Sequence, residues 1–260
     1  SGAGFDLYDG GSGTDTLKFT STSLGIVVDA ANGTSSGSEI NSDTFSGIEI
    51  IIGGDGDDTF KGGAASFSFD GGLGVDTLDY QIASSGIVAN LGAGNANGFE
   101  KIIGSAGDDF LIGDNGANTL NGSDGADTLD GGGGDDRLAG DAGDDELIGG
   151  IGNDTYLGGA GTDVLSFFTL SDGIDLDTII GSAGDDIIDA GGGIDTVQAG
   201  AGADIIGFDT SNEFIDGGAG QDRIKLFGGS QVLDETNLAN VTSIEEIDLT
   251  GIGSNTFTAT

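Results

Sequence analysis

A large apolar residue recurs at every ninth position through the middle of the chain. Between residues 104 and 166 it is always the eighth residue of a nonapeptide: Leu111, Leu120, Leu129, Leu138, Leu147, Tyr156 and Leu165. Glycine occupies the first and fourth positions of all seven nonapeptides, and the sixth position is Asp six times and Asn118 once. A fixed short period of this kind predicts a repeat architecture.

The nonapeptide predicts a short strand after a tight turn. Its glycine-dense first half favours a turn, because glycine adopts backbone conformations that are closed to other residues. In the three-residue strand that follows, only the central side chain points inward. One apolar residue in nine needs an opposing strand to bury it, so two nonapeptides form a coil of 18 residues. Stacked coils then form two parallel sheets, with neighbouring strands about 4.8 Å apart.

The same register extends beyond the middle of the chain. We assign repeat blocks to residues 1–18, 53–79, 104–166 and 181–225. Over these 17 nonapeptides, the sixth residue is Asp 14 times and the eighth is always apolar. In the exceptions outside the central block, Phe67 and Glu213 occupy the sixth position.

Connectors separate the blocks at residues 19–52, 80–103, 167–180 and 226–260. Their apolar and polar residues alternate, which predicts metal-free strands that continue one solenoid over residues 1–260. Their Phe, Ile and Val side chains are expected to fill the core. Glu49, Glu100 and Glu245 recur where the chain re-enters the repeat register, which predicts a structural cap.

Composition and charge exclude several classes of partner. The chain has 45 acidic and six basic residues, a net charge of −39. Nucleic-acid binding is excluded because it requires clustered Lys and Arg. No apolar run is long enough to insert into a membrane. The chain begins in mid-repeat, which predicts that it is a piece of a longer protein.

The sequence offers little for catalysis. It contains no His and no Cys, so the usual nucleophilic triads and dyads cannot be built. Paired carboxylates for glycoside cleavage remain formally open. However, the periodic aspartates belong to the turns, and we expect no enzymatic activity.

Stacking the coils brings the sixth-position carboxylates into columns. Like charges a few ångströms apart repel strongly, so either the carboxyls take up protons or a cation lies between them. Carboxylate and carbonyl oxygens suit Ca²⁺, whereas Mg²⁺ demands stricter geometry and keeps its waters. A merely solvated acidic face would not fix Asp at one position in nine.

The motif GGxGxDxUx, with U large and apolar, resembles the RTX nonapeptide of secreted bacterial toxins, proteases, lipases and adhesins. The resemblance implies an all-β, right-handed parallel β-roll with Ca²⁺ in the turns. It also implies that each ion takes the Asp and the carbonyls of positions two and four of one turn. The other ligands are the Asp and the carbonyls of positions one and three of the turn two repeats later.

Carried onto this chain, the resemblance assigns one site to two sets of three residues, Gly132, Gly134 and Asp136 with Gly149, Ile151 and Asp154. A second site combines Asp141, Gly143 and Asp145 with Gly158, Ala160 and Asp163. The remaining metal-ligating candidates are Asp58, Asp76, Ser105, Gly107, Asp109, Asp114, Gly116, Asn118, Gly122, Asp124, Asp127, Gly131, Gly133, Gly140, Ala142, Asp186, Asp195, Asp204 and Asp222. Asn118 departs from the motif, so a weaker site is expected where it meets Asp136.

One site for each pair of repeats two apart gives an expected total of about nine Ca²⁺ ions. The resemblance implies that the chain is exported unfolded by type I secretion and folds on Ca²⁺ outside the cell or at its surface. Two functions remain open. One is a structural and secretion-assisting module of an adhesin, a haemolysin-like toxin or a surface-layer protein. The other is an adhesin module whose connector loops recognise a surface glycan or a partner protein.

Overall fold

The computed structural model describes residues 4–62, 67–92, 96–166, 176–208, 214–226, 232–234, 237–250 and 256–258. These residues form short β-strands and one 3₁₀-helix, Asn237–Asn240, and they contain no α-helix. The all-β class expected from the nonapeptide is confirmed. The sixth-position residue Glu213 and parts of the predicted connectors 167–180 and 226–260 lie outside the described residues.

Most strands are three to seven residues long. The first part of the chain forms β1 (Leu7–Asp9), β2 (Thr16–Lys18), β3 (Ile26–Asp29), β4 (Thr34–Gly37), β5 (Asn41–Ser46), β6 (Ile50–Ile52), β7 (Thr59–Lys61), β8 (Ser68–Asp70) and β9 (Thr77–Asp79). The middle forms β10 (Val88–Asn90), β11 (Ala96–Asn97), β12 (Lys101–Ile103), β13 (Phe110–Ile112), β14 (Thr119–Asp124), β15 (Thr128–Gly133), β16 (Arg137–Ala142), β17 (Glu146–Ile151), β18 (Thr155–Ala160) and β19 (Val164–Ser166). The last part forms β20 (Thr178–Ala183), β21 (Ile187–Asp189), β22 (Thr196–Gly202), β23 (Ile205–Gly207), β24 (Phe214–Gly220), β25 (Arg223–Lys225), β26 (Val232–Asp234), β27 (Val241–Thr242), β28 (Glu246–Asp248) and β29 (Thr256–Thr258).

One long sheet runs through the described part of the chain. It has fourteen strands in the order β1-β5-β4-β3-β7-β9-β12-β14-β16-β18-β20-β22-β24-β27. A nine-stranded sheet has the order β10-β13-β15-β17-β19-β21-β23-β25-β28. From β12 to β25 successive strands alternate between these two sheets, which is the two-sheet coil that the repeat predicts.

The register confirms a coil of 18 residues in the central block. Leu120 pairs with Leu138 in the long sheet, and Leu111 pairs with Leu129 in the nine-stranded sheet, both in parallel. The strands are longer than the predicted three residues at several places, because the glycine-containing turns also pair. In β14 and β16, for example, Ser123 of one turn is registered with Asp141 of the next.

The amino-terminal third departs from a simple two-sheet roll. There the second face is a separate four-stranded sheet, in the order β11-β8-β6-β2. In the connector 19–52, β4 lies antiparallel to both β3 and β5, so the expectation of parallel strands alone is wrong for this segment. A tight turn at 30–33, with Gly33 at φ 64°, reverses the chain locally, and β3 also pairs in parallel with β7.

The core is a column of the eighth-position side chains. Leu111, Leu120, Leu129, Leu138 and Leu147 are fully buried, and so is Tyr156. In the amino-terminal part, aromatic rings fill the same space: the ring centroid of Phe60 lies 5.4 Å from that of Phe69 and 5.2 Å from that of Phe99. The expected filling of the core by connector aromatics is confirmed for Phe99 and also for Phe19.

Candidate metal centres

Asp6 and Asp15 are only half-buried, but from Asp58 onwards the structure buries the sixth-position Asp side chains and Asn118 in columns at the edges of the sheets. Each exposes at most 4% of its surface, and the set is Asp58, Asp76, Asp109, Asn118, Asp127, Asp136, Asp145, Asp154, Asp163, Asp186, Asp195, Asp204 and Asp222. Buried carboxylates are costly unless they are paired, hydrogen-bonded or bound to a metal. A burial this regular therefore requires compensation at every turn.

One carboxylate oxygen of each aspartate holds the next coil in place. The backbone N–H of Asp127 donates to Oδ1 of Asp145 at 2.9 Å, and that of Asp136 donates to Oδ1 of Asp154 at 2.8 Å. The same bond links Asp145 to Asp163. In the described residues these hydrogen bonds form ladders, in which a sixth-position N–H donates to Oδ1 of the acid in the coil above it.

The second carboxylate oxygen has no protein partner in many of these residues. Among the described residues, Oδ2 is buried without a hydrogen bond in Asp76, Asp127, Asp136, Asp145, Asp163, Asp186, Asp204 and Asp222. A buried acceptor left unsatisfied costs about 1–3 kcal/mol, and more when it is charged. These orphaned oxygens are the strongest sign that the turns bind a cation.

The pKa values of the sixth-position aspartates also indicate that these sites need a positive charge. Burial, together with neighbouring carboxylates, raises the pKa of Asp76 and Asp136 to about 7. Burial also raises the pKa of Asp127, Asp145 and Asp186 to about 6, again with contributions from nearby acids. The charged form of these groups is therefore disfavoured until a positive charge approaches.

Carbonyl oxygens of the turns converge on the same places. Gly132 and Gly150, at the second position of turns two repeats apart, have φ of 94° and 105°. A Cβ added to Gly150 would collide with the carbonyl oxygen of Gly132. Glycine at this position thus allows the carbonyls of one turn to point at the next turn without obstruction.

First-position carbonyls face the orphaned carboxylate oxygens. A Cβ added to Gly131 would meet Oδ2 of Asp136 and would lie 2.6 Å from the carbonyl oxygen of Gly149. A Cβ on Gly140 would likewise meet Oδ2 of Asp145 and would lie 2.7 Å from the carbonyl oxygen of Gly158. The structure therefore brings two predicted pairs of ligands together, Asp136 with Gly149 and Asp145 with Gly158.

Third-position carbonyls are already partly engaged. The carbonyl of Ile151 accepts a hydrogen bond from Gly134 N–H at 2.8 Å, and that of Ala160 accepts one from Gly143 N–H at 2.8 Å. A carbonyl oxygen has a second lone pair, so both groups retain one for a cation. Their role as ligands stays a prediction, as does that of Ala142, which accepts from Gly125 in the same way.

This donor set fits calcium. It consists of carboxylate and carbonyl oxygens, the hard ligands that Ca²⁺ takes six to eight at a time. In the described part of the chain no three His, Cys, Asp or Glu side chains cluster as a metal site would require on side chains alone. The proposed Ca²⁺ sites instead use two acids each and take their remaining ligands from backbone carbonyls.

The first turns of two blocks differ from the rest. Oδ2 of Asp58 accepts from Gly54 N–H at 2.8 Å, and Oδ2 of Asp109 accepts from Ser105 N–H at 2.6 Å. Their Oδ1 atoms accept from connector residues instead of a repeat, Ile26 and Ile87 respectively. In these two turns the backbone satisfies both oxygens.

Asn118 occupies a similar position. Its Oδ1 accepts from Asp114 N–H at 2.8 Å, while its own N–H donates to Oδ1 of Asp136 at 2.7 Å. Asn118 therefore keeps the ladder intact but brings no charge, and the weaker site expected there stays a prediction. The predicted ligands Ser105, Gly107, Asp114 and Gly116 all lie in such first turns and lack the left-handed backbone of the later ones.

Glutamates close the ladders at their other ends. Oε2 of Glu49, Glu100 and Glu245 accepts from the N–H of Asp15 at 3.0 Å, Asp76 at 2.8 Å and Asp222 at 2.9 Å, respectively. Each glutamate occupies the place of a sixth-position Asp in a coil that has no repeat turn. The structural cap predicted from the re-entry motif is confirmed.

Two ladder residues were missed by the sequence analysis. Asp177 is 2% exposed, accepts from Asp154 N–H at 2.6 Å and donates to Oδ1 of Asp195 at 3.0 Å. Asp43 is 1% exposed and accepts from Asp6 N–H. Both lie in connectors, but each is followed by Thr and then by a large apolar residue, and that signal would have placed them at the sixth position.

A second ladder on the exposed side was also missed. Oδ1 of the fifth-position residue in one turn accepts from the fifth-position N–H two repeats later, as from Ala126 to Asp108 and from Thr162 to Asp144. These bonds run in the opposite direction to those of the sixth position. The two ladders together clamp neighbouring turns on both sides of the proposed ligands.

The comparisons with known proteins agree with this geometry. The model of the RTX calcium-binding nonapeptide repeat, which describes four copies, matches residues 43–78, 96–129, 130–165, 171–206 and 209–230, more than half of the chain. The matched ranges include Asp43, Glu100 and Asp177, which lie in predicted connectors. No curated protein matches the chain.

Proposed function

Because the chain belongs to the family of RTX calcium-binding nonapeptide repeats, we propose that it is a module that folds on Ca²⁺ after export from the cell. The family is a structural, calcium-binding one, and calcium is the ligand of this chain. The finer proposal is that the module assists secretion and spaces the domains of a larger secreted protein of the adhesin, haemolysin-like toxin or surface-layer type.

The orphaned, buried Oδ2 atoms carry this proposal. Bound Ca²⁺ supplies the positive charge that these oxygens lack. Within each proposed site one aspartate from each of two stacked turns holds the ion, and the turn carbonyls complete the shell. Oδ1 of the same aspartates keeps the coils in register, so one side chain couples ion binding to stacking.

Charge explains why the fold is expected to depend on the ion. At a net charge of −39, the chain repels itself and stays expanded unless cations bind. Extracellular Ca²⁺ modules typically bind with a Kd of about 10⁻⁴–10⁻³ M, so sites of this kind are empty in the cytosol and filled outside. Binding to the folded state alone stabilises it by mass action, one site after another.

The number of ions is expected to exceed the estimate from the repeat blocks. Asp163 N–H donates to Oδ1 of Asp186 at 3.0 Å, which links the central block directly to the next one. Asp177 joins the same stack between Asp154 and Asp195. We therefore propose about twelve Ca²⁺ ions, where the separate blocks give about nine.

Circular dichroism in EGTA and then in millimolar Ca²⁺ tests the folding switch. The expected result is a coil spectrum without Ca²⁺ and a strand spectrum with it, and Mg²⁺ at the same concentration should not substitute. Equal strand content in both states would contradict the proposal. Metal analysis of the desalted protein then counts the bound ions and decides between the proposed total of about twelve and the earlier total of about nine.

A ligand-binding role is the second candidate. A groove on the outer face of the long sheet is lined in part by residues of the connector 80–103. This location suits the alternative function, in which connector loops recognise a surface glycan or a partner protein. Among the described residues no helix is long and apolar enough to cross a membrane.

A further inference from the structure

The groove on the outer face of the long sheet has a volume of about 530 Å³ and is lined by polar and apolar groups, of which the apolar groups expose the larger area. Gln81 borders it on one side, in the turn that follows β9, and Asp79 anchors that turn by accepting from Gln81 N–H at 2.9 Å. Lys101 and Ile103 of β12 and residues of β14 form its floor. The connector and the repeat stack thus build the groove together.

We propose that this groove is a calcium-dependent binding site for a neutral saccharide. The proposal rests on the proposed function, because the groove exists only in the folded roll. Two kinds of observation carry it: a hydrogen-bonded set of side chains that spans two turns, and two residues that occupy backbone conformations normally reserved for glycine.

The side chains of three groove residues are joined in a chain of hydrogen bonds. Ser123 Oγ donates to Asn121 Oδ1 at 3.0 Å, and Asn121 Nδ2 donates to Asp141 Oδ2 at 2.6 Å. These groups hold one another in fixed orientations while staying open to solvent. An oriented row of hydroxyl, amide and carboxylate groups offers the donors and acceptors that adjacent sugar hydroxyls require.

Backbone strain marks the same residues. Ser123 has φ 81° and Asp141 has φ 72°, and both stand at the second position of a repeat turn. Gly132, Gly150 and Gly159 occupy that position in neighbouring turns, also with positive φ. Since glycine adopts this conformation without strain, Ser123 and Asp141 retain their side chains at a cost. Ser182 has the same conformation outside the groove, so the strain supports the proposal only together with the hydrogen-bonded set.

The charges of the groove select a neutral ligand. Asp124 and Asp141 line it together with Lys101, and among the described residues Lys101 takes part in no ion pair. An anionic ligand would be repelled by the two acids and by the net charge of the chain. Lys101, Gln81 and Thr119 offer further groups to hydroxyls, and the half-buried Ile103 supplies an apolar surface for the face of a sugar ring.

Calcium dependence follows from the position of Asp141. Its carbonyl points at the next turn, where a Cβ on Gly159 would collide with it, and this carbonyl is a proposed Ca²⁺ ligand. The backbone of Asp141 thus takes part in ion binding while its carboxylate faces the groove. Removal of Ca²⁺ is expected to abolish saccharide binding together with the fold.

The test uses saturation-transfer NMR and calorimetry with glucose, galactose, N-acetylglucosamine, lactose, maltose and cellobiose, in millimolar Ca²⁺. The wild-type chain should bind at least one of these sugars. Asp141→Gly removes the carboxylate, relieves the strain and leaves the backbone carbonyl in place. Affinity should fall at least about tenfold while the thermal midpoint stays equal or rises.

Ser182→Gly is the matched control. Ser182 also stands at the second position of a turn in the long sheet, with φ 87°, but it does not line the groove. This variant should gain stability in the same way and bind the sugar as the wild type does.

The groove proposal is overturned if no sugar binds to the Ca²⁺-loaded roll, if Asp141→Gly binds normally, or if Ser182→Gly loses binding equally. Binding of Ca²⁺ alone by the groove, seen as one ion fewer in Asp141→Gly with no sugar response, also overturns it. A chain that fails to gain strand content on Ca²⁺ addition counts against the proposed function, which is a separate result.

Discussion

The two oxygens of a sixth-position carboxylate have different roles. Oδ1 accepts a hydrogen bond from a backbone N–H of the coil below. Oδ2 of Asp136 is buried without a partner and faces the carbonyl of Gly149. Asparagine can take over the first role but not the second, and Asn118 shows the chain using it in this way.

Replacing Asp136 by Asn tests this division at one residue. The ladder bond to Asn118 N–H should survive, while the sites shared with Asn118 and Asp154 lose a charge. The Ca²⁺ affinity of these sites should fall at least about tenfold, because a charge-assisted contact is worth about 1.5–3 kcal/mol. The Ca²⁺ midpoint of folding, followed by circular dichroism, should rise as a result.

Glu146→Gln is the control for Asp136→Asn. It removes the same unit of charge from an exposed side chain at the start of β17, directly after Asp145 but outside the proposed ligand set. Its Ca²⁺ midpoint should change little. Equal midpoints for the two variants would mean that net charge, and not the site, controls binding.

Turn stacking depends on which glycine positions face a neighbour. A Cβ at Gly150 would collide with the carbonyl of Gly132, and its φ of 105° disfavours any side chain. A Cβ at Gly133 would meet its nearest atom, Asn115 Oδ1, at 3.5 Å, an ordinary contact distance. The repeat thus contains glycines that the stack requires and others that it only tolerates.

Gly150→Ala and Gly133→Ala form a matched pair for this element. The first should cost at least about 1–3 kcal/mol through backbone strain and should also displace a proposed ligand. The second should change stability by no more than about 0.5 kcal/mol. Urea unfolding in saturating Ca²⁺ measures both values, and equal losses would show that the turns do not stack as described.

The period predicted the coil well and the connectors poorly. Leu111 to Leu165 recur on schedule, so the two-sheet coil and its buried acids followed from the sequence. Asp43 and Asp177 were missed because their turns lack the glycine pair that marks a repeat, while the surrounding coils impose the same register on them. The hairpin of β3 and β4 depends on local turn chemistry at 30–33, which a nine-residue period does not encode.

Over the whole molecule, the buried aspartates of the ladders make the stability of the calcium-free chain depend on pH. Burial and neighbouring acids raise the pKa of Asp76 and Asp136 to about 7, and that of Asp127, Asp145 and Asp186 to about 6 in the folded roll. In the unfolded chain these groups titrate near 3.9. The folded state therefore binds more protons than the unfolded state between about pH 4 and pH 7.

The sign of the effect follows from this difference. A raised folded pKa contributes stability that is fully present below about pH 4 and is lost as the pH rises through 6 to 7. In protein stripped of Ca²⁺ and kept in metal-free buffer, acidification from about pH 7.5 to about pH 5 should therefore increase the strand signal, because protons neutralise the columns in place of Ca²⁺. In titrations with Ca²⁺, the Ca²⁺ concentration at the midpoint should rise as the pH is lowered over the same interval, since protons and the ion compete for Oδ2. A calcium-free chain that loses strand content on acidification, or a Ca²⁺ midpoint that falls, would show that these carboxylates are not the groups that couple folding to the ion.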